Sequence, residues 1–136
     1  MNTAFLCFFG VLIELVFATL AAYPLARMNF RGKGWIMAGL LATMMLPSQA
    51  NIIVNFVTIR QIGLYDTLTA VLLPSAVSVF GIFLMRQAFL VVPKDLEDAA
   101  RMDGASEWYI FLRVMVPLTR PALGTLALFS FVAHWK

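Results

Sequence analysis

The chain is 136 residues long, 62% of them apolar and 12% charged, with a formal net charge of +3. Soluble domains of this size carry roughly 25% charged residues, so the composition excludes an ordinary water-soluble globule and points to a membrane protein. Eight of the ten basic residues fall in two segments, Arg27, Arg31 and Lys33 in one and Arg86, Lys94, Arg101, Arg113 and Arg120 in the other, which is a positive-inside pattern and excludes a nucleic-acid surface.

In chain order, the first predicted span covers residues 3–26. At 1.5 Å per residue it reaches roughly 36 Å, enough to cross a bilayer core of about 30 Å. It has no basic leader and its apolar run is too long for a signal-peptide core, so it reads as a true span. Cys7 lies inside it as the lone cysteine, which permits neither an internal disulfide nor a paired-cysteine metal site. Glu14 lies near its middle, where a carboxylate costs about 2.5–3.5 kcal/mol on insertion scales. It is expected to face the bundle interior, and both internal pairing and lining of a solute route are open for it. Pro24 and Arg27 mark the end of the span. The loop Arg27-Met28-Asn29-Phe30-Arg31-Gly32-Lys33-Gly34 is short, basic and broken by glycine, and is expected on the cytoplasmic side.

The second span is expected over 35–58, opening at Trp35. Its clean apolar run ends at Pro47, too soon to cross alone, so it bends there or re-enters. Gln49, Asn51, Asn55 and Arg60 make its second half amphipathic. Asp66 is a candidate cap for the third span, 67–85, which Pro74 interrupts and to which Ser75, Ser78 and Gly81 give a small-residue side. A polar loop follows over 86–120, and a fourth span over 121–136. The fold class expected is all-α: a polytopic membrane helix bundle of about four transmembrane helices, one domain over 1–136, with a helix in the cytoplasmic loop. Asn51, Asn55, Ser75 and Ser78 join Glu14 as weak candidates for a solute pathway, because sugars need hydroxyl and amide partners. Unsatisfied backbone near Pro47 and Pro74 needs the same groups.

The polar loop is the most informative stretch. Pro93 favours an abrupt helix start, Asp95, Glu97 and Asp98 suit the positive end of the helix dipole, and Gly104 suits a left-handed stop. Leu96, Ala99, Ala100 and Asp103 recur at i, i+3, i+4 and i+7 and share a shallow face. Small side chains on such a face let a helix seat deeply in a groove of another protein. A second short helix opens at Ser106, with Trp108, Phe111, Leu112 and Met115 as its apolar stripe, and Pro117 and Pro121 turn the chain back. An ordinary solvated loop is the competing reading of these residues.

The segment Asp98-Ala99-Ala100, then Gly104, then Val114-Met115-Val116-Pro117 resembles the EAA motif of the membrane subunits of ATP-binding cassette importers. Its order is Glu-Ala-Ala, three residues, Gly, nine residues, then Ile-x-Leu-Pro. Asp98, Val114 and Val116 are conservative departures from it. Leu20-Ala21-Ala22-Tyr23-Pro24, Met45-Leu46-Pro47, Gly63-Leu64-Tyr65-Asp66-Thr67 and Phe83-Leu84-Met85-Arg86-Gln87 extend the likeness to the carbohydrate-uptake branch, the maltose and glycerol-phosphate type.

The resemblance implies a permease subunit of a sugar importer in a bacterial-type plasma membrane. Its partners are a dimer of ATP-binding subunits, a second permease subunit, an extracytoplasmic solute-binding protein and membrane lipid. It implies that Leu96, Glu97, Asp98, Ala99, Ala100, Asp103, Gly104 and Pro117 couple the chain to the ATPase. Family members usually have six spans, so the four here correspond to the second through fifth, and the chain is expected to be a fragment. No phosphate-binding G-x-x-x-x-G-K-[ST] run and no metal-ligand cluster is present, and no cofactor or enzyme activity is expected. A permease for another small solute and a truncated membrane interaction protein that transports nothing are the alternatives.

Overall fold

The computed structural model describes residues 2–135, and every regular element among them is helical. The order is α1 (Asn2–Arg27), α2 (Lys33–Met44), α3 (Ser48–Gln61), α4 (Leu68–Ser75), α5 (Val79–Val91), α6 (Lys94–Met102), α7 (Glu107–Ile110), a π-helical turn (Phe111–Met115), α8 (Val116–Leu118) and α9 (Arg120–His134). Lys136, the last residue of the fourth expected span, lies outside the described residues.

One described helix, Thr3–Arg27, is long and apolar enough to cross a membrane alone, and up to four crossings arise if each bent helix pair is one span. The bends sit where the sequence removes backbone donors. The α2–α3 pair turns by 100° at Pro47, whose ring fixes φ at −64° and caps α3 in extended conformation. At that angle the pair is a corner and not a bent rod, so 35–58 does not form one straight crossing. The α4–α5 pair turns by 45° just after Pro74. Glu107–Leu118 meets α9 at 74°, with Thr119 at the joint. Thr119 is buried, and its hydroxyl donates to the carbonyl oxygens of Met115 (3.0 Å) and Val116 (3.2 Å).

The core joins α1, α5, the π turn and α9. α1 supplies Ala18, Ala22, Leu25 and Ala26, a stripe small enough to let α5 approach closely. α5 answers with Ile82, Met85 and Phe89 at i, i+3 and i+7, and α9 adds Leu126. Phe89, Met85, Ile110, Met115 and Leu126 are fully buried. In lipid such packing rests on dispersion contacts rather than on expelled water. Tyr23 stands edge-on to Phe89 with ring centroids 5.8 Å apart, and its ring lies 5.0 Å from Phe111. α2, α3 and α4 bury no residue completely.

Two local expectations are corrected. Asp66 does not cap α4. It takes a positive φ of 62°, and Thr67 is the cap, accepting from the Ala70 N–H. The third helical segment continues to Val91, and within it Arg86 Nε donates to the Leu25 carbonyl at 3.2 Å. The apolar stripe of the second loop helix is also different. Ile110, Phe111 and Met115 are buried, while Trp108 and Leu112 are exposed. The π turn causes this, since its bonds run i to i+5 and place residues five apart on one side. The Val116 N–H donates to the Phe111 carbonyl.

Candidate functional site

The loop between α5 and α9 holds α6 and, beyond a turn at Gly104, the run from α7 through the π turn to α8. α6 starts at Pro93 and carries Asp95 and Glu97 in its first turn. It stops at Gly104, whose φ of 82° is open to glycine at no steric cost. The Asp103, Gly104 and Ala105 N–H groups return to the Ala99, Arg101 and Ala100 carbonyls. Ser106 then caps α7 by accepting from the Tyr109 N–H at 3.2 Å.

This turn opens a groove of about 910 Å³. One wall is the α6 face, Leu96, Ala99, Ala100 and Asp103, and the other carries Tyr109, Arg113, Val114 and Pro117. Six of the eight residues singled out for partner contact, Leu96, Ala99, Ala100, Asp103, Gly104 and Pro117, line this one groove. Asp98 lies beside it, exposed, with its carboxylate 3.1 Å from Arg101. Glu97 does not join them: its side chain is 3% exposed and turned inward. Helical spacing explains this, because Glu97 follows Leu96 by about 100° around the axis.

Glu97 meets Arg27 at the C-terminal end of α1, with Nε 3.0 Å from Oε1 and the Arg27 side chain 5% exposed. The Nε–H is not aimed along this contact, so the two form an ion pair rather than an aligned hydrogen bond. Arg27 Nη2 donates to the Phe89 carbonyl at 2.8 Å and to the Val92 carbonyl. Glu97 Oε2 lies 3.5 Å from Arg101, one turn along α6. Arg101 reaches Glu107, and Glu107 accepts a long hydrogen bond from the Tyr23 hydroxyl at 3.4 Å. The polar chain therefore starts and ends on α1, at Arg27 and Tyr23, one helical turn apart.

The hydrogen bonds from Arg101 push the Glu107 carboxyl below its ordinary pKa, and those same bonds raise that of Arg101. Breaking a buried pair such as Arg27–Glu97 by removing one partner costs about 3–5 kcal/mol, because the other charge stays buried. Sequence reading took Arg27 as a span-end charge within the positive-inside pattern. The i, i+4 spacings of Tyr23 with Arg27 and of Glu97 with Arg101 were its one visible trace.

The other candidates scatter. Glu14 is buried on α1 and accepts a short hydrogen bond from Ser130 Oγ on α9. His134 stands beside it, its Nδ1 2.8 Å from the Ser130 carbonyl. Asn51 and Asn55 are exposed on α3. Ser75 Oγ donates to the Leu72 carbonyl at 3.0 Å, and Ser78 caps α5 through the Gly81 N–H. Both serines thus serve the backbone at the break between α4 and α5. No group of three metal-ligating side chains occurs among the described residues.

Residues 14–136 match the family described as binding-protein-dependent transport system inner membrane component. The chain is 36% identical over 135 residues to the arabinooligosaccharides transport system permease protein AraQ of Bacillus subtilis, covering 99% of this chain and 48% of that protein. It is 36% identical over 126 residues to the trehalose transport system permease protein SugB of Mycobacterium tuberculosis, covering 91% and 46%. The chain thus spans about half the length of the curated relatives it matches. Among solved structures, it is similar to a chain of a bacterial ABC transporter involved in the import of the acidic polysaccharide alginate. The TM-score is 0.90 at 36% identity, covering 98% of this chain and 47% of that one.

Proposed function

The chain belongs to the family of binding-protein-dependent transport system inner membrane components, and from that premise we propose that it is part of a permease subunit of an ATP-binding cassette importer. Its cargo is a sugar or sugar-like solute. Its spans cross a bacterial plasma membrane several times, and hydrolysis of ATP takes place on a separate subunit. A second permease subunit and an extracytoplasmic solute-binding protein complete the importer.

The observation that carries this reading is the groove beside α6. The small side chains Ala99 and Ala100 leave it open, and Asp103 and Arg113 place one charge of each sign at its walls. Such a surface accepts a protruding apolar side chain of a partner and orients it electrostatically. We assign Leu96, Ala99, Ala100, Asp103, Gly104 and Pro117 to that contact, with Asp98 at its rim. A carbohydrate cargo is supported by relatives named for arabinooligosaccharides and trehalose.

The test is Ala100→Trp in the full-length permease, expressed with its neighbouring ATPase gene. The indole fills the groove, so the ATPase is expected to stop co-purifying while membrane insertion stays parental. Retention of the ATPase at the parental ratio rejects the assignment.

A further inference from the structure

Besides its backbone continuation through Gly104 into α7 and the packing of Ala100 against the core, helix α6 is attached to the rest of the chain at three places. Val92 and Pro93 join it covalently to α5, with no slack between the two helices. Arg101 ties its far end to Glu107 at the start of α7. The third attachment is Arg27. This one side chain, nearly without exposure, meets Glu97 on α6, donates to the Phe89 carbonyl on α5 and to the Val92 carbonyl beyond it, and is itself the last residue of α1. Arg86 returns the contact from α5 to α1 through the Leu25 carbonyl.

Three attachments that do not lie on one line fix a body completely, whereas two leave a hinge. Arg27 is the attachment that runs directly to α1. A guanidinium suits this place because its donors fan out in one rigid plane toward several acceptors, which a flexible ammonium does not match.

We infer that Arg27 is the positioning residue that makes α6 and the C-terminal end of α1 one rigid body, so that a displacement of α6 turns α1 instead of flexing the loop. This rests on the proposed reading of α6 as the contact with an ATP-driven subunit. It adds the route by which that contact reaches the bundle: sideways through a buried ion pair into α1, in addition to onward along the chain through α7 and α9.

Pulsed electron paramagnetic resonance tests it in the full-length importer. Spin labels replace Phe17 on α1 and Met102 on α6, both exposed, in a Cys7→Ser background. Distances are recorded without nucleotide and with ATP plus orthovanadate, so that no solute is needed. The parent is expected to give one narrow distance that is the same in both states. Glu97→Gln keeps the size of the side chain but removes the charge that Arg27 faces. It is expected to add a second, displaced population once ATP and vanadate are present.

A parental distance that moves with nucleotide overturns the inference, and so does a Glu97→Gln distribution that matches the parent in both states. If Glu97→Gln does not insert, Glu97→Asp, which withdraws the charge by one methylene, is expected to show the same second population. A parental distribution there overturns the inference. Ala100→Trp separates the two readings, because it leaves the Arg27 contact whole: loss of the ATPase with an unchanged label distance supports both. Retention of the ATPase in that variant rejects the docking surface, while the Glu97 comparison still decides the tie.

Discussion

Arg101 grips Glu107 at two points across the turn at Gly104, Nε to Oε1 at 2.9 Å and Nη2 to Oε2 at 3.3 Å. Two parallel contacts fix an angle where a single one fixes only a distance. The pair therefore spans the turn between α6 and α7. Both side chains are substantially exposed, so the pair is worth about 0.2–1 kcal/mol at most and weakens with salt.

A pH dependence follows from that pair. The Glu107 carboxyl titrates below its ordinary value in the folded chain because Arg101 donates to it. A group with a depressed folded pKa stabilises above its unfolded pKa, about 4.3 for glutamate, and that contribution disappears as pH falls through the lower folded value. Arg101 stays charged throughout, since its own shift is upward. Amide protection factors at Asp103, Gly104 and Ala105, measured by hydrogen exchange, are expected to be level near neutrality and to fall only in acid. In Glu107→Gln they are expected to be lower near neutrality and less dependent on pH. A parental acid profile in that variant rejects this role for Glu107.

Gly104 gives a prediction about backbone alone. Its φ is 82°, and a Cβ built on it meets nothing within 4 Å. Any loss on substitution therefore measures the left-handed conformation and not crowding. Gly104→Val is expected to destabilise the turn by about 1–2 kcal/mol, and Gly104→Asn by less, because asparagine visits this region more readily. Limited proteolysis between α6 and α7 reads the order directly: valine cut fastest, then asparagine, then the parent. Equal rates for valine and asparagine contradict it.

Much of this was legible from local chemistry. Pro93, Gly104 and Ser106 each act through their own backbone, so the ends of α6 and the start of α7 follow from residue type. The shared face of Leu96, Ala99, Ala100 and Asp103 follows from helical period. The same period sets Glu97 off that face, about 100° on from Leu96, but its partner Arg27 lies 70 residues away and has no local signal. The stripe of Trp108 and Leu112 failed because a period of 3.6 was assumed where the helix widens to a π turn at Phe111–Met115. Pro47 announced a bend, but not its 100° angle.

The buried carboxyl of Glu14 supplies a test of internal pairing against solute lining. Ser130 donates to it, and both residues are buried. Ser130→Ala removes the donor and leaves the carboxyl unsatisfied, a loss of about 1–3 kcal/mol. Glu14→Gln keeps an oxygen that can accept from Ser130, so its melting temperature in detergent is expected to lie much closer to the parent. Asn51→Ala and Asn55→Ala, on the exposed face of α3, are expected to leave it unchanged. A Ser130→Ala variant as stable as the parent rejects the pairing.

The close approach of three helices at Gly81 can be challenged directly. A Cβ placed there lies 3.2 Å from Leu126 on α9 and 3.3 Å from Ala18 on α1. Alanine forces those neighbours back by a few tenths of an ångström. Leucine has no room and must part the helices, at a cost of about 1–3 kcal/mol. Gly39 on α2 is the control, because nothing lies within 4 Å of a Cβ built on it. Gly39→Ala is expected to stabilise by about 0.5–1 kcal/mol, through helix propensity alone. Thermal unfolding in the same detergent should therefore move in opposite directions for Gly81→Leu and Gly39→Ala. A shift of the same sign in both contradicts the packing of α1, α5 and α9 around Gly81.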